Sequence, residues 1–96
     1  MTWAIVWSAQ ARNQFIATLT HIAAEDPQSA ALVHKRVEKS LRLLTGSPEM
    51  GVPAPVAGVR TYAVPNTGHS FDYRLVRHEI RIQRWYRQRQ RPTGSK

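Results

Sequence analysis

Apolar residues follow two different periods along this chain, and the change of period divides it. Trp3, Ile5 and Trp7 alternate with Ala4 and Val6 in a short aromatic and β-branched run, which predicts a strand. Ser8 follows as an N-cap, its hydroxyl placed to accept from the next turn. Phe15, Ile16, Leu19, Ile22 and Ala23 then recur at helical spacing and predict a helix from about Ala9 to Ala24. Asp26-Pro27 restarts the chain, with a capping carboxylate and a proline in the first turn, where its missing N–H costs nothing. Ala30, Val33, Val37, Leu41 and Leu44 form the stripe of a second helix that ends at Gly46, with Pro48 beyond. So short a break between the helices predicts an antiparallel hairpin.

Past Gly46 the period becomes two. Residues 46–57 hold Pro48, Gly51, Pro53 and Pro55 and predict no regular structure. Val59 to Val64 reads as a strand closed by the turn cluster Pro65-Asn66-Thr67-Gly68. His69 to Arg77 alternates, with Phe71, Tyr73 and Leu75 on one side and Asp72, Arg74 and Val76 on the other. A tight connection near His78-Glu79 leads into a last strand from Ile80 to about Arg87. The expected fold is α+β in the order β-α-α-β-β-β, a helical hairpin packed on one face of an antiparallel sheet whose other face is wet and carries the arginines. The expected core is Phe15, Leu19, Ile22, Val33, Val37, Leu41, Phe71 or Tyr73, and Ile82. Strict alternation in the last strand places Trp85 with the arginines; a bulge near Arg84 turns it inward, and the bulge is the preferred reading. A single domain over 1–92 with a flexible tail over 93–96 is expected.

Composition narrows the class. At 96 residues, 42% of them apolar, the chain makes one domain with a small core. It has no cysteine, which excludes a disulfide scaffold, a thiolate metal site and a cysteine nucleophile. No window approaches 18 apolar residues and no basic flank precedes Trp3, so neither a membrane span nor a signal peptide is visible, and a soluble cytoplasmic domain is expected. Charge says more. Fourteen basic against six acidic residues give +8; residues 1–48 carry +2 and residues 49–96 carry +6. The excess is arginine: Arg74, Arg77, Arg81, Arg84, Arg87, Arg89 and Arg91 crowd the last quarter, after Arg60. Guanidinium forks suit phosphate and carboxylate, so a polyanionic partner is expected, nucleic acid or an acidic protein segment. The alternative is a merely solvating basic face. His21, His34, His69 and His78 lack the spacing of a metal site and read as surface histidines, and Trp3 and Trp7 read as core. No metal and no cofactor is expected.

The ordered motifs resemble one family. Ile5-Val6-Trp7-Ser8-Ala9-Gln10-Ala11 is similar to the first strand and capped helix of the RelE/ParE superfamily, the toxins of type II toxin-antitoxin systems. Asp26-Pro27-Gln28-Ser29-Ala30 resembles the start of that family's second helix. Gly58-Val59-Arg60-Thr61-Tyr62 and Asp72-Tyr73-Arg74-Leu75-Val76 resemble two of its strands. Trp85-Tyr86-Arg87-Gln88-Arg89-Gln90-Arg91-Pro92 resembles its closing motif. The resemblance covers nearly the whole chain. Two departures stand out: Arg87 and Gln88 replace the histidine and glycine of many relatives, and Arg77 stands where a tyrosine ends the family strand that Asp72-Tyr73-Arg74-Leu75-Val76 resembles.

The resemblance implies one of two activities. RelE-like members cut mRNA in the ribosome without a metal; ParE-like members poison DNA gyrase. Metal-free cleavage needs a base for the 2′-OH, an acid for the leaving oxygen and cations for the charge on phosphorus. Arg74 and Arg89 match positions that serve the last role, and Tyr86 and Arg87 complete the candidate set for an mRNA interferase. The stretch Thr45 to Gly58, where RNase relatives place lysines, contains none, and its only ionisable side chain is Glu49. An arginine is a poor proton donor at neutral pH. The ParE-like reading, a gyrase-binding toxin without its own chemistry, is therefore preferred over the endoribonuclease. A nucleic-acid-binding module that only shares the fold is the third reading. In either toxin reading the resemblance implies a toxin-antitoxin hetero-oligomer, in which the acidic C-terminal segment of a cognate antitoxin covers the basic face. Arg60, Arg74, Arg77, Arg81, Arg84, Arg87, Arg89 and Arg91 are the expected contacts with target or antitoxin.

Overall fold

The computed structural model describes residues 3–88. The chain runs through β1 (Ala4–Trp7), α1 (Ala9–Glu25), α2 (Pro27–Gly46), β2 (Val52–Pro53), β3 (Arg60–Val64), β4 (His69–Val76) and β5 (Glu79–Arg87). The two caps explain the helical hairpin. Ser8 Oγ accepts from Ala11 N–H at 3.0 Å and opens α1. Asp26 closes α1 and opens α2 at once: its N–H donates to the Ile22 carbonyl, and its carboxylate accepts from Gln28 N–H and Ser29 N–H. Ser29 Oγ–H also donates to that carboxylate at 2.7 Å, and these bonds hold the Asp26 carboxyl below its usual range.

The two helices pack on a five-stranded sheet in the order β1-β5-β4-β3-β2, so the α+β class holds. The sheet is mixed, however, and not purely antiparallel. β1 runs parallel to β5, pairing Ile5 with Ile80 and Trp7 with Ile82, because the intervening chain carries the first strand's direction back beside the last. A second difference lies in the proline-rich stretch, which was expected to be irregular. Val52 and Pro53 form a short strand against Thr61 and Arg60. Proline is tolerated there because β2 is the sheet's edge. Its loop is fastened to the core by Tyr73, whose hydroxyl donates to the Pro48 carbonyl at 2.7 Å and accepts from Gly51 N–H at 2.9 Å.

The β4–β5 turn also differs from expectation. Val76 pairs with Glu79, so the loop is Arg77-His78, and both residues have positive φ, 50° and 67°. That is the backbone a two-residue hairpin loop requires, although neither residue is a glycine. Arg77 therefore leaves the strand for the turn. The expected bulge is present: Tyr73 pairs with Ile82 and Asp72 with Arg84, which leaves Gln83 as the extra residue. Its effect is to turn Trp85 inward, where it is 2% exposed. Phe71 and Tyr73 are both buried, with Val33, Val37, Ile80 and Ile82, while Phe15, Leu19, Ile22 and Leu41 are half-buried against them. No helix among the described residues is long and apolar enough to cross a membrane.

Candidate functional site

Strand alternation assigns the basic residues to two faces. Ser70, Asp72, Arg74 and Val76 alternate with the buried Phe71 and Tyr73, so they lie on the face without helices. The register sets Arg81 opposite Arg74, Arg84 opposite Asp72 and Tyr86 opposite Ser70. Arg74 and Arg81 are thus like charges directly opposed, a costly arrangement that Glu79 relieves by accepting from Arg81 Nε at 2.8 Å. Arg74 donates to the Ala57 carbonyl at 3.3 Å and passes over Gly58. Gly58 has φ +81°, and a Cβ there would lie 2.7 Å from Arg74 Nη1, so glycine makes room for this cation.

Tyr86 and Asp72 form the centre of the face. Tyr86 O–H donates to Asp72 Oδ1 at 2.9 Å, and Thr61 Oγ–H donates to the same oxygen at 2.7 Å. The Arg84 guanidinium lies over the Tyr86 ring, 5.2 Å from its centroid. Binding groups and a hydrogen-bonded phenol therefore share one surface. The phenolic proton is directed at a carboxylate of the protein itself.

The remaining expected contacts divide. Arg60 points to the helical side and donates to the Gly51 carbonyl at 2.7 Å and the Glu49 carbonyl at 3.2 Å, so it fastens the proline-rich loop and does not join the cationic face. Arg77 is exposed in the turn. Arg87 pairs with His69, on the side of the helices. Arg89 and Arg91 lie outside the described residues. Among the described residues, no group of three His, Asp or Glu side chains is placed to hold a metal ion.

His69 departs from the expectation of a surface histidine. It is 8% exposed, its ring stacks on Trp85 at 5.1 Å, and Nδ1 lies 3.0 Å from the Thr67 carbonyl. Burial lowers its pKa, the Thr67 carbonyl opposes that shift and the nearby Arg87 adds to it, so the ring is neutral at pH 7. Its phase with Phe71 and Tyr73 along β4 was the available signal. His69 and Trp85 stand at the back of a groove of about 890 Å³ between α1 and the end of β5, whose rim includes His21, Arg84, Arg87 and Gln88. None of its lining residues is acidic.

Comparison with known proteins agrees with this architecture. A family model described as the ParE toxin of the type II toxin-antitoxin system, parDE, matches residues 5–92. A sequence search among curated proteins returns no significant match. Among solved structures, a chain of the chromosomal ParDE TA system from P. aeruginosa superposes with a TM-score of 0.77 at 24% identity, covering 90% of this chain and 96% of that one. A chain of the intact E. coli RelBE toxin-antitoxin complex superposes with a TM-score of 0.64 at 10% identity, covering 88% and 95%. At these identities the two structures speak for the fold.

Proposed function

The chain belongs to the ParE toxin family of type II toxin-antitoxin systems, and we propose that it arrests growth by poisoning DNA gyrase and that a cognate antitoxin neutralises it. The observation that carries this reading is the fate of the Tyr86 proton. Catalysis of RNA cleavage requires a group free to give or take a proton at the reacting oxygen. Tyr86 O–H is instead bonded to Asp72, and the cations around it, Arg74, Arg81 and Arg84, are guanidinium groups, a side-chain type that binds anions and donates protons poorly. His69 is stacked against Trp85 and held by Thr67. Such a set binds anions well and moves protons poorly, which suits a toxin that holds a target in one state.

The antitoxin follows from the family and from charge. A +8 chain whose basic residues concentrate after residue 73 favours a partner segment rich in carboxylates, ordered on binding. The decisive assay pairs gyrase supercoiling and cleavage with translation in vitro, using the purified toxin. Accumulation of gyrase-cleaved DNA with translation intact is the expected result. Cuts in ribosome-bound mRNA, with supercoiling untouched, refute it and establish the endoribonuclease reading.

A further inference from the structure

Among the described residues, three that are not glycine have positive φ: Asn66, Arg77 and His78. Two of them have reasons within the chain. Asparagine is a type that adopts this backbone at low cost. His78 is docked: its carbonyl accepts from Ala4 N–H at 2.9 Å, and its ring centroid lies 5.2 Å from that of Trp3. Arg77 has no such reason. It is exposed at the tip of the β4–β5 hairpin, and among the described residues no group bonds its guanidinium. Asparagine or glycine suits such a turn better. A strained residue that nothing inside the molecule holds points to something outside it.

A second local cost lies just behind the tip. Arg74 and Arg81 are directly opposed, two residues in from the closing pair Val76–Glu79. Arg81 has Glu79 as its partner at 2.8 Å, while Arg74 has the Ala57 carbonyl at 3.3 Å. Three arginines and one carboxylate therefore share the end of this hairpin. Exposed large apolar side chains lie on the helices and in the proline-rich stretch, with Val6 of β1, beside Arg81, the exception near the hairpin. A protein-binding patch is built around aromatic or aliphatic anchors. Guanidinium groups without such anchors fit a sugar-phosphate backbone, whose protein interfaces are more polar and more positive.

We infer that the end of the β4–β5 hairpin is a phosphate contact for duplex DNA, with Arg77 leading and Arg74 and Arg81 behind it, so that the toxin touches the DNA held by its target enzyme as well as the enzyme. The inference rests on the gyrase reading for the presence of DNA, and it adds the surface that meets that DNA. Arg77 reaches a phosphate from a turn whose backbone is fixed. The repulsion between Arg74 and Arg81 falls when an anionic backbone lies against both.

The test is fluorescence anisotropy of the full chain with a labelled twenty-base-pair duplex over a range of salt. Arg77→Asn removes the charge and installs a residue suited to positive φ. It should weaken binding severalfold, lower the slope of log affinity against log salt by about one, and raise the urea unfolding midpoint. Binding and stability that move in opposite directions mark a residue kept for its contact. Unchanged affinity, or a midpoint that falls, overturns the inference. Position is separated from net charge by two equal charge changes. Arg81→Glu should weaken the duplex by about tenfold or more, and Arg42→Glu, at an exposed position of α2, by less than about twofold. Equal losses would mean that net charge alone binds DNA, and would overturn the inference. Should Arg81→Glu not fold, Arg77→Glu takes its place. Binding about tenfold tighter to an RNA duplex of the same sequence would overturn the assignment to DNA. In the gyrase cleavage assay, severalfold more Arg77→Asn toxin should be needed to trap cleaved DNA. Poisoning indifferent to that change overturns the inference and leaves the gyrase reading intact. An unmodified toxin that binds the duplex through Arg77 yet traps no cleaved DNA refutes the gyrase reading and leaves the DNA contact standing.

Discussion

From Glu79 to Ile82, β5 lies between β1 and β4 and buries Ile80 and Ile82 completely; from Gln83 to Arg87 it keeps β4 but meets side chains of Ser8 and Gln14 where β1 has ended. The bulge at Gln83 separates the two halves. In the first half the strand is a core element whose side chains alternate strictly. In the second, the shifted phase buries Trp85 while Arg84, Tyr86 and Arg87 reach the surface on both sides. A single inserted residue thus lets one strand bury Trp85 on the same side as Ile80 and Ile82, although Trp85 is out of phase with them.

The largest expected effect tests whether the enclosed half is the anchor. Ile82→Ala should cost about 2–5 kcal/mol in urea unfolding, the range for a fully buried aliphatic side chain. A loss under about 0.5 kcal/mol would mean that this half is not the packed one. Next comes the neighbouring strand. Tyr73→Phe removes the hydroxyl that serves both Pro48 and Gly51, and leaving the buried Gly51 N–H unpaired should cost about 1–3 kcal/mol. An unchanged unfolding midpoint would show that the proline-rich loop does not depend on this pair.

His69, stacked on Trp85 beside the second half, makes stability depend on pH. Its folded pKa is lowered, so the unfolded chain binds the proton more readily. Stability from this group is complete above the unfolded value of about 6.5 and is lost as pH falls below it. His69→Gln should flatten that part of the stability profile; a slope unaltered by the substitution would show that another group titrates. The smallest effect on folding belongs to the exposed face. Arg74→Ala should change stability by less than about 0.5 kcal/mol, since it removes one member of an opposed like-charge pair, yet it should weaken antitoxin binding and lessen its salt dependence. A collapse of stability would make Arg74 structural, and binding that ignores salt would deny it an electrostatic role.

Local chemistry was legible in the sequence and long-range pairing was not. Ser8 and Asp26 announce both helices because capping is decided within three residues. The inward turn of Trp85 was readable because strict alternation would strand a large aromatic ring among arginines. The parallel meeting of β1 with β5 carries no local mark, and two residues of β2 are too few to show a period. Arg60 resembled its neighbours in composition, but its donation to Gly51 and Glu49 depends on how the proline-rich loop folds back. His69 had the right phase for burial, and its polarity concealed it. At the candidate site, the Tyr86–Asp72–Thr61 cluster joins three strands, so no spacing along the chain revealed it.

Under the proposed function the cationic face acts by binding and not by proton transfer, and a single substitution, Tyr86→Phe, separates the two. The change removes the phenolic proton and keeps the ring beneath Arg84. Growth arrest by the variant, with gyrase-cleaved DNA accumulating in treated cells, should stay close to that of the unmodified toxin. A loss of toxicity of about 10²-fold or more, the usual contribution of a positioned acid, together with the loss of mRNA cleavage, would contradict the claim and make Tyr86 a catalytic residue.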